Sequence, residues 1–316
     1  MANSNTTVKI IFPNIFSRKK NFFTLAHLFR CSILFALPIS SVKIQNPDIN
    51  RKTHKLENRG KIKVIQENIV YSSEAGEYGI GDLWLPDDLS AHTPLALVIH
   101  GGSWVSLSKC RMTGICAFLC EKLKFAVFNI DYRLANLHKW PACGDDCLQA
   151  ARFLLEEDIP SLAAVQRKNI LLIGASAGGH LALMTGLRLP REKVGGIISI
   201  SGIDSLREDH ASSPQRYLAL LGHEPSEAEL KAVDPVTYLS PDAPPILCTH
   251  DKLDNVVPCE SAEHFVAEAL KLGADCSEYY HRREENGISH RIWQPDSKNL
   301  YPDIEEHIAD WIKKYF

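Results

Sequence analysis

The stretch Gly174-Ala175-Ser176-Ala177-Gly178-Gly179 follows the apolar run Asn169-Ile170-Leu171-Leu172-Ile173 and precedes His180-Leu181-Ala182-Leu183-Met184, a segment of helical composition. A serine with a glycine two positions away on either side, set between a strand and a helix, fits a nucleophile elbow. Such a turn leaves no room for side chains at Gly174 or Gly178 and holds the serine backbone in a strained conformation. It lifts the Ser176 hydroxyl beyond the sheet edge, above the N-terminus of its own helix. The same spacing also arises in plain Gly/Ser-rich loops, so its meaning depends on what the other strand ends carry.

Working outward, continuous apolar runs recur at 94–99, 125–130, 194–200 and 245–248. Runs of this kind suit buried central strands covered on both faces. Residues 62–71 and 80–85, closed by Pro86-Asp87-Asp88, read as an edge hairpin; the first alternates as a strand with one wet face should. Helical segments at 112–124, 143–157, 177–187, 261–272 and 304–315 separate the runs. Alternation sustained over about two hundred residues predicts an α/β fold, a mostly parallel central sheet flanked by helices on both faces. Ligands of such sheets bind at the carboxyl ends of the strands.

After the 94–99 run stands His100-Gly101-Gly102-Ser103-Trp104. Consecutive glycines let backbone N–H groups turn toward a ligand, and beside a serine nucleophile such donors hold an oxyanion. The amides of Gly102, Ser103 and Ala177 are assigned that role, with Gly101 allowing the bend. After the 245–248 run stands His250-Asp251-Lys252-Leu253-Asp254-Asn255-Val256-Val257-Pro258. An acid here would orient a catalytic imidazole. Asp251 lies at the strand end; Asp254 lies in the loop ahead of a Val-Val-Pro anchor. Their chemistry alone does not separate them. The base is sought later in the chain among His264, His281, His290 and His307. His264 and His307 fall inside helical patterns. His290, after a loop with a glycine hinge and before the last helix, is preferred to His281, which ends a strand-like run. The order Ser, Asp, His is that of α/β-hydrolases.

Composition sets the remaining limits. With 316 residues, 45% apolar and 23% charged, the chain has the balance of an ordinary globular protein. With a net charge of −3 and no long basic block, nothing in the sequence points to a nucleic-acid partner, and none is expected. The nine cysteines include no C-x-x-C; Cys116/Cys120 and Cys143/Cys147 each share a helix face and suit disulfides if the protein is exported or, preferred here, buried core thiols, a choice that spacing does not settle. Residues 1–50 form an N-terminal extension. Within it Cys31 to Val42 has the length of a signal-peptide apolar region with Ser40 and Ser41 near a cleavage point, which favours export; the long segment before it and Pro38 within it suit instead a disordered extension and a cytoplasmic location. That run is too short to span a bilayer.

With these residues in hand, the chain from about Ile62 onward resembles the α/β-hydrolase superfamily, and within it the esterase/lipase group of hormone-sensitive-lipase-like and bacterial feruloyl/acetyl-esterase-like proteins. His100 to Trp104 is similar to the group's H-G-G-(G/A/S)-W oxyanion segment, and Gly174 to Ala182 to its G-x-S-A-G-G-H-L-A. Asp131-Tyr132-Arg133-Leu134-Ala135, with Pro141-Ala142 and Asp146, resembles its D-Y-R-L-A and P-A-x-x-x-D segments, which implies a structural Arg–Asp network under the site. His180 is then a packing residue. The group's H-G-x-x-D-x-x-V-P implies Asp254 as the acid, with Asp251 in place of a glycine. Its G-x-x-H falls on Gly287 and His290, with Ser289 standing where some members have glycine.

The resemblance implies one α/β-hydrolase domain over 51–316 with a cover insert at about 202–242. It also implies a serine carboxylesterase with Ser176, His290 and Asp254 as its triad, and no metal or organic cofactor. Trp104, beside the oxyanion loop, is expected to narrow the pocket toward short acyl groups. The partner is a small-molecule ester, acetylated or feruloylated sugars among the candidates. Alternatives are an arylformamidase-like amide hydrolase and, from another class, a catalytically silent binding protein on this fold. The filled triad disfavours the silent protein, and a prolyl-oligopeptidase-type peptidase would need a propeller-sized domain.

Overall fold

The computed structural model describes residues 64–206, 209, 213–283, 290, 292–294 and 298–316. All of them belong to the unit 58–316. The extension 1–50 with its signal-like segment lies outside the described residues, as do Gly287 and Ser289.

Each apolar run becomes a strand. These are β1 (Val64–Val70), β2 (Ile80–Leu85), β3 (Leu95–Ile99), β4 (Ala126–Ile130), β5 (Ile170–Ala175), β6 (Val194–Ile200), β7 (Ile246–Asp251) and β8 (Cys276–His281). They form one sheet in the order β1-β2-β4-β3-β5-β6-β7-β8. The β1–β2 and β2–β4 pairs are antiparallel; every pair from β4–β3 to β7–β8 is parallel.

Helical spans answer the 3.6-residue patterns: α1 (Thr113–Ala117), α2 (Ala142–Glu156), α3 (Ala177–Gly186), α4 (Gln215–Leu221), α5 (Glu227–Val233), α6 (Cys259–Leu272) and α7 (Pro302–Tyr315). The 112–124 reading is corrected in form: α1 passes into a π turn over Phe118–Lys122 rather than continuing as one α-helix. A helix is also present at Gln215–Leu221, within the segment read as a cover.

Alternation along the strands divides the core. Leu95, Leu97 and Ile99 join Cys147, Leu154, Leu181 and Phe265 on the face covered by α2, α3 and α6. Ala96 and Val98 join Ile115, Cys116, Ile308 and Trp311 on the face covered by α1 and α7. Each fully buried Leu or Ile stabilises by roughly 1.5–3 kcal/mol against exposure, so both faces of the central strands are held. Among the described cysteines none forms a disulfide, and Cys116, Cys120, Cys143, Cys147, Cys248 and Cys259 are buried thiols. No described helix is long and apolar enough to cross a membrane.

The parallel register sets the functional edge. Ile99 pairs with Gly174, Ala175 with Ile200, Ile200 with Thr249, and Asp251 with His281. The loops after β3, β5 and β7 therefore leave the sheet at one end.

Candidate active site

Ser176 stands between β5 and α3 with φ 57° and ψ −126°. A backbone in this sparsely populated region stores about 1–3 kcal/mol and persists only where its surroundings over-determine it. Here Ser176 N–H donates to Ile200 O at 2.9 Å and Ser176 O accepts from Gly179 N–H at 2.8 Å. A methyl group on Gly178 would stand 2.2 Å from Ile99 O and 2.6 Å from His100 O, and one on Gly174 would stand 2.0 Å from Gly178 O. The glycines of the elbow are thus required by the close approach of two chain segments.

That approach brings the β3 loop onto the serine. The Cβ position of Gly101 lies 3.0 Å from Ser176 Cβ and 2.7 Å from Ala175 O. The Tyr132 hydroxyl donates to His100 O at 3.0 Å, and His100 Nδ1 lies 2.7 Å from Gly101 O. Gly102 O accepts from Val105 and Ser106 N–H at 3.0 and 3.1 Å. In a trans peptide the N–H points opposite to the carbonyl. With these three carbonyls turned inward, the amides of Gly101, Gly102 and Ser103 face away from their acceptors. Gly102 holds φ 111° and Ser103 φ 50°, the bend that accomplishes it. Ala177 N–H belongs to the first turn of α3 and has no intrahelical acceptor. Of the segment named from sequence, Gly101 lies directly against Ser176, and Ala177 follows it in the chain.

Trp104 corrects one expectation. Its indole is 0% exposed and donates through Nε1 to His180 Nδ1 at 3.1 Å. His180 Nε2 in turn donates to Val233 O at 2.8 Å, and Tyr217 packs 6.1 Å from the indole. With no exposed surface, Trp104 does not wall an open pocket. It ties the loop after β3 to α3 and to the helices at 215–233.

Both His180 nitrogens are engaged only in the neutral tautomer, and burial pushes its pKa down to about 4. The unfolded chain, with histidine near 6.5, binds the proton more readily between these values. Stability from this group is therefore full above about pH 6.5 and lost as pH falls toward 4, on the order of 3 kcal/mol in all. Denaturant unfolding at pH 7 and pH 4.5 is expected to show this loss, with His100, pushed down to about 4 by burial, adding to it. Equal stability at the two pH values would contradict the assignment.

Beneath the loop, Arg133 Nη2 and Nε donate to Asp146 Oδ1 at 2.6 and 3.0 Å, and Arg133 N–H donates to Oδ2 at 2.8 Å. This is the Arg–Asp network expected from the sequence.

The two aspartates of the loop after β7 turn in different directions. Asp254 Oδ2 accepts from His290 Nδ1 at 2.6 Å, while Oδ1 accepts from Val256 and Val257 N–H, both at 2.9 Å. The Val-Val-Pro segment does fix the carboxylate. Burial pushes the Asp254 pKa up, but the hydrogen bonds from His250 and His290 outweigh it and hold the carboxyl well below its usual range. Asp251 turns the other way. Its Oδ1 accepts from Leu253 and Arg283 N–H at 3.0 and 3.3 Å, and its Oδ2 lies 4.0 Å from His281 Nδ1. The other histidines are occupied elsewhere: His264 Nδ1 meets Ser205 Oγ at 3.1 Å, and His307 stacks on Tyr279 at 3.5 Å.

His290 Nε2 is buried without a hydrogen-bond partner. The contact between Ser176 and His290 is not made, whereas that between His290 and Asp254 is. Such bonds are often long in a free enzyme and tighten with substrate. An imidazole anchored on one side by a carboxylate, with its other nitrogen free, can take a proton from a hydroxyl and return it. Among the described residues no group of three His, Cys, Asp or Glu side chains is placed to hold a metal ion.

Two contacts escaped the sequence reading. His250 approaches Asp254, and Arg216 of α4 bridges Asp209 Oδ1 at 2.7 Å and the carbonyl of Val256. The only prior signal was the i,i+4 spacing of His250 and Asp254.

A family model described as BD-FAE matches residues 81–269, which takes in Ser176 and Asp254 and stops before His290. The chain is 33% identical over 138 residues to versiconal hemiacetal acetate esterase stcI of Emericella nidulans, covering 42% of this chain and 45% of that protein. It is 24% identical over 233 residues to esterase LipC of Mycobacterium tuberculosis, covering 64% and 54%. The chain thus spans about half the length of these curated relatives. A truncated carbohydrate esterase from gut microbiota superposes with TM-score 0.67 at 20% identity, covering 81% of this chain and 99% of that one. A thermophilic esterase of Thermogutta terrifontis does so with TM-score 0.62 at 24%, covering 78% and 90%. These likenesses show the α/β-hydrolase fold.

Proposed function

Because this chain belongs to the BD-FAE family, an α/β-hydrolase esterase family, we propose that it is a serine carboxylesterase that cleaves short-chain acyl esters. The observation that carries the reading is the 2.6 Å hydrogen bond from His290 to Asp254, with Nε2 of the same ring unpartnered at the sheet edge that bears Ser176.

In this mechanism His290 Nε2 takes the Ser176 proton as Oγ attacks the acyl carbon. The amides of Gly102, Ser103 and Ala177, with Gly101 shaping the bend, hold the negative oxygen of the tetrahedral intermediate. One such donor contributes on the order of 3 kcal/mol. His290 then gives its proton to the departing alcohol oxygen, leaving the acyl group on Ser176. Water enters, loses a proton to His290, and attacks the same carbon; the acid leaves and Oγ regains the proton. Asp254 stays ionised throughout, holding Nδ1–H and the ring orientation.

The short acyl group is supported by the acetate-esterase names of two relatives, stcI and the versiconal hemiacetal acetate esterase of Aspergillus parasiticus, the latter 28% identical over 129 residues. A series of p-nitrophenyl esters from acetyl to palmitoyl, with N-formylkynurenine beside it, tests the reading. The expected kcat/KM is highest for acetyl to butyryl and falls at least about tenfold for long chains. A long-chain preference would remove the short-acyl claim, and turnover of N-formylkynurenine without ester cleavage would replace the esterase by an amide hydrolase.

A further inference from the structure

The carboxylate of Asp254 has a second histidine against it. His250, the penultimate residue of β7, is fully buried, and its Nε2 lies 2.9 Å from Val257 O and 3.5 Å from Asp254 Oδ2. Val257 N–H returns to Asp254 Oδ1 at 2.9 Å. Ring, loop peptide and carboxylate therefore close on one another. Oδ1 is held by two backbone amides, and Oδ2 is shared between His290 and His250. A carbonyl and a carboxylate both facing Nε2 require the proton there, which fixes the tautomer.

We infer that His250 is a positioning residue of this esterase, whose Nε2–H holds the Asp254 carboxylate in the orientation that presents Oδ2 to His290 Nδ1. The inference rests on the proposed triad. Backbone amides alone set the place of Oδ1; rotation of the carboxylate about its bond to Cβ is stopped at Oδ2, where His250 is the fixed partner and His290 the one that must stay free to gain and lose a proton. Among the described residues, the further charged or titratable groups that bear on His250 are Asp204 after β6 and His281 on β8. Burial disfavours charge on His250, and the carboxylates of Asp254 and Asp204 outweigh it, so its pKa is raised.

Two variants separate positioning from mere packing. In His250→Gln the amide nitrogen takes the place of Nε2; in His250→Asn it reaches only as far as Nδ1. With p-nitrophenyl acetate, His250→Asn is expected to lose about 100-fold in kcat with KM little changed, the effect of a misplacement near the chemistry. Its acid limb of kcat/KM moves to higher pH, because a carboxylate relieved of one donor holds the His290 proton more firmly. His250→Gln is expected to restore kcat and return the limb toward wild type. A His250→Asn protein with wild-type kcat and acid limb, or equal losses in both variants, would overturn the inference. Ser176→Ala, measured alongside, keeps the two claims apart: activity surviving in that variant refutes the triad itself, whatever position 250 does.

Discussion

Replacement of Ser176 by alanine is expected to lower kcat for p-nitrophenyl acetate on the order of 10⁶-fold, with little change in KM or in melting temperature. The size follows from the unit character of nucleophile and base: without Oγ no covalent intermediate forms, and only oxyanion donors and binding remain. The unchanged stability follows from the structure. Ser176 is held by its backbone, through Ile200 O and Gly179 N–H, and the strain at φ 57° is met equally by alanine. Steady-state kinetics and thermal unfolding of the same preparation check both halves. A variant that loses activity together with several degrees of melting temperature would mean that the hydroxyl holds the turn rather than reacts.

The second large effect belongs to Asp254. Its Oδ1 accepts Val256 and Val257 N–H, while Oδ2 accepts from His290 Nδ1 and lies 3.5 Å from His250 Nε2. Asparagine offers one acceptor for this set. If its oxygen stays with the two backbone amides, its NH₂ faces His290 and forces the lone pair onto Nδ1. The proton then sits on Nε2, the atom that must accept it from Ser176. A drop in kcat of about 10⁴-fold is expected, with geometry preserved. Asp251→Asn is the matched control. Its oxygen can keep Leu253 and Arg283 N–H, and its other atom faces His281 at 4.0 Å without a hydrogen bond. Its kcat should stay near wild type. The reverse ranking of the two variants would move the acid to Asp251.

Much of this was legible in the residues because local chemistry decided it. Gly174 and Gly178 flank a serine whose turn tolerates no side chain, and the runs 94–99 and 125–130 are buried on both faces, so pattern and fold agree. Strand ends differ by one to three residues: the apolar run ends at Cys248 whereas β7 runs to Asp251, because Thr249, His250 and Asp251 are polar yet buried. The burial of Trp104 is illegible for a different reason. Its partners, His180 and Tyr217, come from residues far along the chain, and no spacing reveals that they close over the indole. The choice between Asp251 and Asp254 likewise rests on which way a loop turns its carboxylates, which composition does not encode. His250 lay in plain view, but only the fold-back of Val256 and Val257 brings its ring onto Asp254.

The central claim is a covalent one, that Ser176 is the atom acylated, and it is tested most directly by trapping. Protein incubated with a short-chain alkyl fluorophosphonate, digested and mapped by mass spectrometry should carry one adduct, on the peptide holding Ser176. That adduct should be absent in Ser176→Ala and form far more slowly in His290→Ala. An adduct on another residue, or ester hydrolysis that continues undiminished with Ser176 unmodified, would contradict the account.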